Sequence, residues 1–345
     1  MIDIKGLVYH GPKILKWEDV NDVEPKADEV KIRVKAVGIC GSDVHGYLGL
    51  TGRRISPMIM GHEFSGIIVD VGKDVREFRE GDRVAPYPVD FCGECEMCRE
   101  GSFHLCCNKK QFGVLNVNGA FAEYICIPGK LCFKLEDDVS FSVGSLVEPL
   151  SVAYRAVNRA ADLTGKTVLI VGAGTIGLLV LACAKMKNLA RIIVSDISDS
   201  RLEKALSMGA NTVINPKNKN FKEVIDSVTD GSGVDVALEA VGASPTVQQA
   251  MSALHFGGTA IWIGNSSKMI EINMQEVVTR ELRVYGSFLY SFDEFAHVVD
   301  LLNRKELSVS ALISLEAVMN EGPELFKRLA DDPGSLIKVV LTDRG

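Results

Sequence analysis

Two hydrophobic patterns divide the chain. In the first 150 residues, short β-rich runs recur between glycine turns: VKIRVKAVGI, GIIVDVG, DRVAPYPV and FAEYICI. They predict the strands of a compact β-rich domain. From residue 166 the period changes. KTVLIV (166–171) is a short apolar run, and the helical stretch TIGLLVLACAKMKN follows it. RIIVSD (191–196) predicts a second strand, followed by the amphipathic SRLEKALSMG, which Gly209 closes. NTVIN, a helix near 220–229, VDVALEAV (234–241), a helix near 245–254, TAIWIG (259–264) and LRVYGS (282–287) complete about six strands alternating with helices. Near-continuous apolar strands of this kind predict a parallel sheet covered on both faces, so the expected fold class is α/β. The tail, from SFDEFAHVVDLLNRKEL onward, ends in LIKVVL, a further strand expected to return to the first domain.

Composition narrows the function classes. The 345 residues are 47% hydrophobic with a net charge of −7, which suits two globular domains. An acidic balance argues against nucleic acid or an anionic membrane surface as the main partner. The longest apolar region, VLIVGAGTIGLLVLACA, is broken by three glycines and falls short of the ~20 residues that span a bilayer. MIDIKGLVYHG has no apolar signal core and no cleavage site. The expected location is therefore the cytoplasm, where thiols stay reduced.

Nine cysteines are an odd number for a disulfide framework. Four of them, Cys92, Cys95, Cys98 and Cys106, are spaced C-x2-C-x2-C-x7-C. Short C-x2-C turns present paired sulfurs to one tetrahedral ion, so a zinc lobe over about 90–108 is expected. Coincidental structural cysteines and an iron–sulfur cluster are the rival readings. Four thiolates close the coordination shell, so this metal would staple a loop and do no chemistry. Cys107 is spare, and His104 reads as a loop histidine.

Residues 172–177 read GAGTIG, after a strand and at the start of a helix. In that context Gly172 makes the tight turn, Gly174 lets backbone approach a pyrophosphate, and Gly177 lets the helix pack on the sheet. The helix N-terminus offers free N–H groups to the phosphates. Ile176 is expected beneath the pyrophosphate. Asp196, about twenty residues on, would accept hydrogen bonds from both adenosine ribose hydroxyls and repel a 2′-phosphate. NAD is expected over NADP, although Arg201 stands near enough to accommodate that phosphate. Val241 and Ile263, at strand ends, would border the nicotinamide ribose and ring, or else simply pack in the core.

Three further pieces, GICGSDVHGY (38–47), GHEFSG (61–66) and LVEPLSV (146–152), supply Cys40, His62, Glu63 and Glu148. Each has a bland reading: a buried thiol, a core histidine, two surface acids. Together, mixed sulfur, nitrogen and oxygen ligands suit a zinc that keeps one position open.

In this order and at these intervals, GICGSDVH, GHEFSG, the four-cysteine lobe, GAGTIG and EPLSV closely resemble the zinc-dependent medium-chain dehydrogenases, across essentially the whole chain. The resemblance is strongest to the polyol branch, with its sorbitol, xylitol and galactitol-1-phosphate dehydrogenases. It implies a GroES-like catalytic domain (1–152), a Rossmann NAD-binding domain with a doubly wound six-stranded parallel sheet (153–287), and a C-terminal return (288–345). It implies that Cys40 and His62 ligate a catalytic zinc and that Glu63 ligates it or swaps on and off. Glu148 falls where simple alcohol dehydrogenases carry a second cysteine, and family members with glutamate there tend to act on polyols or amino alcohols. The cysteine lobe, which many animal sorbitol dehydrogenases lack, moves the reading toward the bacterial polyol and polyol-phosphate enzymes.

The implied reaction is oxidation of a secondary alcohol of a polyol to the ketose, with hydride passing to NAD and two zinc ions per chain. Ser42, two residues past Cys40, would accept the hydroxyl proton, and His45 would pass it to solvent. A zinc-bound water with a glutamate as base is the alternative. By analogy with the family, GSFLYS closes the pocket with Phe288 near the cofactor, across the interdomain cleft from the zinc. LRVYGS forms an edge strand that would pair with a second subunit, as the family is usually dimeric or tetrameric. Other substrates in view are 2,3-butanediol, L-threonine and a phosphorylated polyol. Arg53, Arg54, Lys109 and Lys110 are the candidate cations for that phosphate. A non-catalytic, zinc-stapled NAD-binding protein is the reading from another class.

Overall fold

The computed structural model describes residues 3–115, 117–332 and 334–343. The chain forms two compact units: Met1–Glu148 with Ser291–Gly345, and Pro149–Tyr290. It passes between them inside the helix Val147–Arg159 and again just before the helix Phe292–Asn303. The resemblance implies these transitions at 152/153 and 287/288.

The second unit is built on six parallel strands. Their spatial order is Thr212–Ile214, Arg191–Ser195, Thr167–Val171, Val234–Glu239, Leu254–Trp262, Arg283–Gly286. The first strand in sequence thus lies at the centre, and chain order reverses between Thr167–Val171 and Val234–Glu239. That reversal is the switch point of a doubly wound sheet. Val168, Leu169, Ile170 and Val171 are all buried, as strands covered on both faces must be. The expected α/β class and six-stranded parallel sheet are borne out.

Helix Thr175–Ala184 is buried from Gly177 to Ala184, because TIGLLVLACA is apolar on every face. The sequence pattern carries this helix to Asn188; it stops at Ala184 with Lys185 as its C-cap. The polar run after it forms a turn, with the Lys187 N–H donating to the Ala184 carbonyl at 2.9 Å. Similarly, RIIVSD forms a strand only to Ser195, which leaves Asp196 just beyond the strand end.

The first unit is β-rich. Its largest sheet runs Cys132–Lys134, Arg83–Pro86, Glu63–Val71, Glu29–Gly38, Lys338–Thr342, Ile313–Val318, with Tyr124–Pro128 also on Glu29–Gly38. Two registers matter for function. Gly38 stands opposite Glu63, and Val340 stands opposite Gly38. The tail strand therefore joins the sheet of the first unit, on the side of Glu29–Gly38 opposite Glu63–Val71. At the other end of the sheet an aromatic cluster docks helix Phe292–Asn303: Tyr87 meets Phe292 and Phe295 edge-on at 5.3 and 5.5 Å. Offset and edge contacts of this kind add to the area they bury.

Candidate functional site

The four predicted lobe cysteines converge. One sulfur each from Cys92, Cys95, Cys98 and Cys106 lies within 4.8 Å of every other. All nine cysteines are free thiols, so the cluster is not a pair of disulfides. The short helix Glu96–Arg99 carries Cys98, and Cys95 caps it. Cys106 follows the turn Phe103–Leu105. The strands Val89–Asp90 and Lys110–Gln111 pair to close the base of the lobe, and Phe91 stacks on Phe103 at 4.1 Å. Backbone N–H groups of Cys98 and Cys107 draw the Cys95 thiol down to about 6. That favours the thiolate a metal needs. Four sulfurs this close together fit a structural zinc.

The second predicted centre also assembles. Cys40, His62 and Glu63 offer ligand atoms within 4.8 Å of one another, while the carboxylate of Glu148 lies outside that set. Glu148 is buried on the first turn of Val147–Arg159. Cys40 caps the helix Gly41–Tyr47, and its sulfur accepts from the Ser42 N–H at 3.4 Å and from Ser42 Oγ at 3.3 Å. His45 lies one turn further along the same helix and, like Ser42, is exposed.

Around this group lie three residues whose role sequence reasoning missed. Asp43 is fully buried, with Oδ1 3.5 Å from His62 Nδ1 and 2.8 Å from an Arg54 terminal nitrogen. A ligating histidine commonly directs its second nitrogen at such a carboxylate. Burial would raise the Asp43 carboxyl, but His62 and Arg54 outweigh it and hold the pKa at about 2. Burial would lower the His62 pKa; Asp43 and Cys40 reverse this and hold it well above the usual range. A buried imidazole drawn toward its cationic form between a thiol and a carboxylate marks a site of negative potential, which a metal ion fits. Arg54, a candidate cation for a substrate phosphate, is buried and spent on Asp43.

The third missed residue is Lys338. Only 1% exposed, it bonds the Glu63 carboxylate and donates to the Ile39 carbonyl at 3.0 Å. Burial pushes its amine down, and Glu63 and Cys40 more than offset that. A lone lysine inside the apolar run LIKVVL was the available signal.

In the second unit the glycine loop has the expected form. Gly172 has φ +97°, and its N–H donates to the Ser195 carbonyl at 2.8 Å. A Cβ on Gly177 would collide with the Gly172 carbonyl, so only glycine lets this helix approach the strand. Gly174 caps the helix with no side-chain hydrogen bond and faces open space, which leaves room for an anion to approach the helix N-terminus. Asp196 sits at the loop. Its carboxylate accepts from the Ala173 N–H at 2.6 Å and the Ser198 N–H at 2.8 Å. Ile176 is half-buried in the first helical turn, and Arg201 half-buried on the helix Asp199–Ser207. Val241 and Ile263 follow the strands Val234–Glu239 and Leu254–Trp262, and Phe288 is 40% exposed beyond Arg283–Gly286.

Comparison with known proteins agrees with this geometry. Residues 26–137 match the family model for the alcohol dehydrogenase GroES-like domain, and 175–304 the one for zinc-binding dehydrogenases. The chain is 34% identical over 343 residues to sorbitol dehydrogenase of Bacillus subtilis (strain 168), which covers 98% of this chain and 97% of that protein. Galactitol-1-phosphate dehydrogenase from Escherichia coli superposes with a TM-score of 0.90 at 29% identity, over 98% of this chain and 100% of that one. A short chain alcohol dehydrogenase from E. coli CFT073, complexed with NADH, gives 0.91 at 30% identity, over 99% of each chain.

Proposed function

Because this chain belongs to the family of zinc-binding dehydrogenases, we propose that it oxidises a secondary hydroxyl of an unphosphorylated polyol to the ketose, with NAD as hydride acceptor. The observation that carries this reading is the convergence of Cys40, His62 and Glu63 in a chain that also bears the Gly172–Gly177 loop. Cys40 and His62 would hold the catalytic zinc, with Glu63 or Glu148 as carboxylate neighbours; Cys92, Cys95, Cys98 and Cys106 would hold the structural one. When bound, zinc polarises the substrate hydroxyl and NAD takes the hydride. Ser42 accepts the hydroxyl proton and His45, one turn on, passes it to solvent. Gly172, Gly174 and Ile176 cradle the pyrophosphate, Asp196 binds the adenosine ribose, and Val241, Ile263 and Phe288 border the remainder of the coenzyme.

The substrate reading rests on the cations. Arg54 is committed to Asp43, and Lys109 Nζ donates to the Cys106 carbonyl at 3.4 Å. Arg53 and Lys110 remain exposed, and surface cations are ordinarily solvated. A cytoplasmic location fits nine free thiols. The edge strand Arg283–Gly286, with Tyr285 42% exposed, would pair with a second copy in a homodimer or homotetramer.

The test is a panel of polyols, polyol phosphates, 2,3-butanediol and threonine with NAD, read by absorbance of the reduced cofactor, alongside metal analysis. Two zinc ions per chain and turnover of a free polyol are expected. Cys40→Ser should lose one zinc and nearly all turnover. Unchanged turnover in that variant would sink the metal assignment, and one zinc with no turnover of any substrate would point to the non-catalytic binder.

A further inference from the structure

Glu239 ends the strand Val234–Glu239 and is fully buried. Among the described residues no cationic side chain pairs with it. An isolated carboxylate in a low-dielectric interior costs several kcal/mol unless donors satisfy it. Here the donors are backbone. Its Oε1 accepts from the Val241 N–H at 2.9 Å and the Gly242 N–H at 2.8 Å, and Oε2 shares the latter at 2.9 Å. The Glu239 carbonyl accepts from the Ile263 N–H at 2.8 Å and the Gly264 N–H at 3.0 Å. The turns at 240–242 and 263–267 are thereby zipped. Ser267 N–H donates to the Gly242 carbonyl at 3.0 Å, Ser266 Oγ to the Val241 carbonyl, and a Cβ on Gly264 would collide with Gly242 backbone. Val241 also lies against the phosphate loop: a Cβ on Gly172 would stand 2.6 Å from its Cγ2.

We infer that Glu239 is a positioning residue of the coenzyme site: its carboxylate fixes the turn bearing Val241, against the phosphate loop, while its main-chain carbonyl ties that turn to the strand end bearing Ile263. Both ends lie along the C-terminal edge of the sheet, beside its switch point. The inference rests on the NAD reading above. A carboxylate suits the task because it is acceptor-only at both oxygens. The amide of Gln in the same place keeps one acceptor oxygen but turns an N–H donor toward the Gly242 N–H that Oε2 accepts.

The test compares ligands with and without the nicotinamide, on zinc-loaded protein, by calorimetry. In Glu239→Gln, the affinity for NAD and NADH should fall about tenfold, the effect of losing one hydrogen bond to a charged group. ADP-ribose should lose no more than about threefold, because the Gly172–Gly177 loop and Asp196 are untouched. An equal loss for all three ligands, or none, would overturn the inference. Should Glu239→Gln not fold, Ser266→Ala removes only the bond to the Val241 carbonyl. It should weaken NAD about threefold and leave ADP-ribose unchanged, and equal effects on both would again reject the clamp. Wild-type protein that binds neither NAD nor ADP-ribose would reject the coenzyme reading itself.

Discussion

At the scale of single residues, the functional chemistry depends on charges that fold out of water. Lys338 and Glu63 form a buried pair. Removing one partner leaves the other uncompensated, which is far more costly than an exposed pair would suggest. Lys338→Met should destabilise the metal-free protein by roughly 3–5 kcal/mol in urea unfolding. Lys338→Arg should cost less, because the charge survives. Equal stability of Lys338→Met and wild type would show that the pair holds nothing. Asp196 is the second residue on which a measurable outcome turns. Its carboxylate, fixed by the Ala173 and Ser198 N–H groups, meets the ribose hydroxyls in the proposed complex. Asp196→Ala should raise KM for NAD and narrow its preference over NADP, with half-buried Arg201 then free to attract the 2′-phosphate. Unaltered discrimination would remove the ribose argument. Arg54 shows how a residue type misleads without its neighbours. In the sequence it is a loop cation; in the fold it is the buried partner of Asp43.

Elements explain why these residues hold their places. The cysteine lobe has almost no regular structure of its own: a four-residue helix, one turn and a two-residue ladder. With so little regular structure of its own, the loop would draw a constraint from the proposed structural metal. Cys95→Ser should therefore release one zinc and lower the melting temperature. The Cys40 site should keep its own ion, as metal analysis would show. An untouched melting temperature would mean that the lobe is not a staple. The contrast with helix Thr175–Ala184 is instructive. That helix is apolar on every side and held by burial, and its tightest requirement is at Gly177, where it meets the strand. Period and glycine spacing made this element legible. Its end at Ala184 was not, because the lysines and asparagine after it are as compatible with a last helical turn as with a loop.

On the scale of the whole molecule, each unit has its own logic. The second is a local construction in which strand, helix and strand follow in sequence, so alternating patterns suffice to read it. The first is not local, because its main sheet takes the strand Lys338–Thr342 from the far end of the chain. The exposed edge Arg283–Gly286, with Phe256 75% exposed on the neighbouring strand Leu254–Trp262, is where the proposed second copy would pair. Tyr285→Lys should shift the proposed assembly toward monomer in light scattering, because a charged edge resists pairing. An unchanged mass would place the subunit contact elsewhere.

The linear sequence by itself determined whatever depends on neighbours within some fifteen residues: the four-cysteine spacing, the GAGTIG turn and the periods that separate a β-rich half from an alternating one. It also offered Cys40, His62, Glu63 and Glu148 as a mixed ligand set that only the resemblance made specific, since nothing local joins the three pieces of chain that carry them. Tertiary structure alone decided that Asp43 backs His62, that Lys338 backs Glu63 across 275 residues, and that Glu239 ties two strand ends together. The reason is register. Antiparallel pairing sets Gly38 opposite Glu63 and Val340 opposite Gly38, and which side chains then meet depends on a cross-strand alignment that no local pattern encodes.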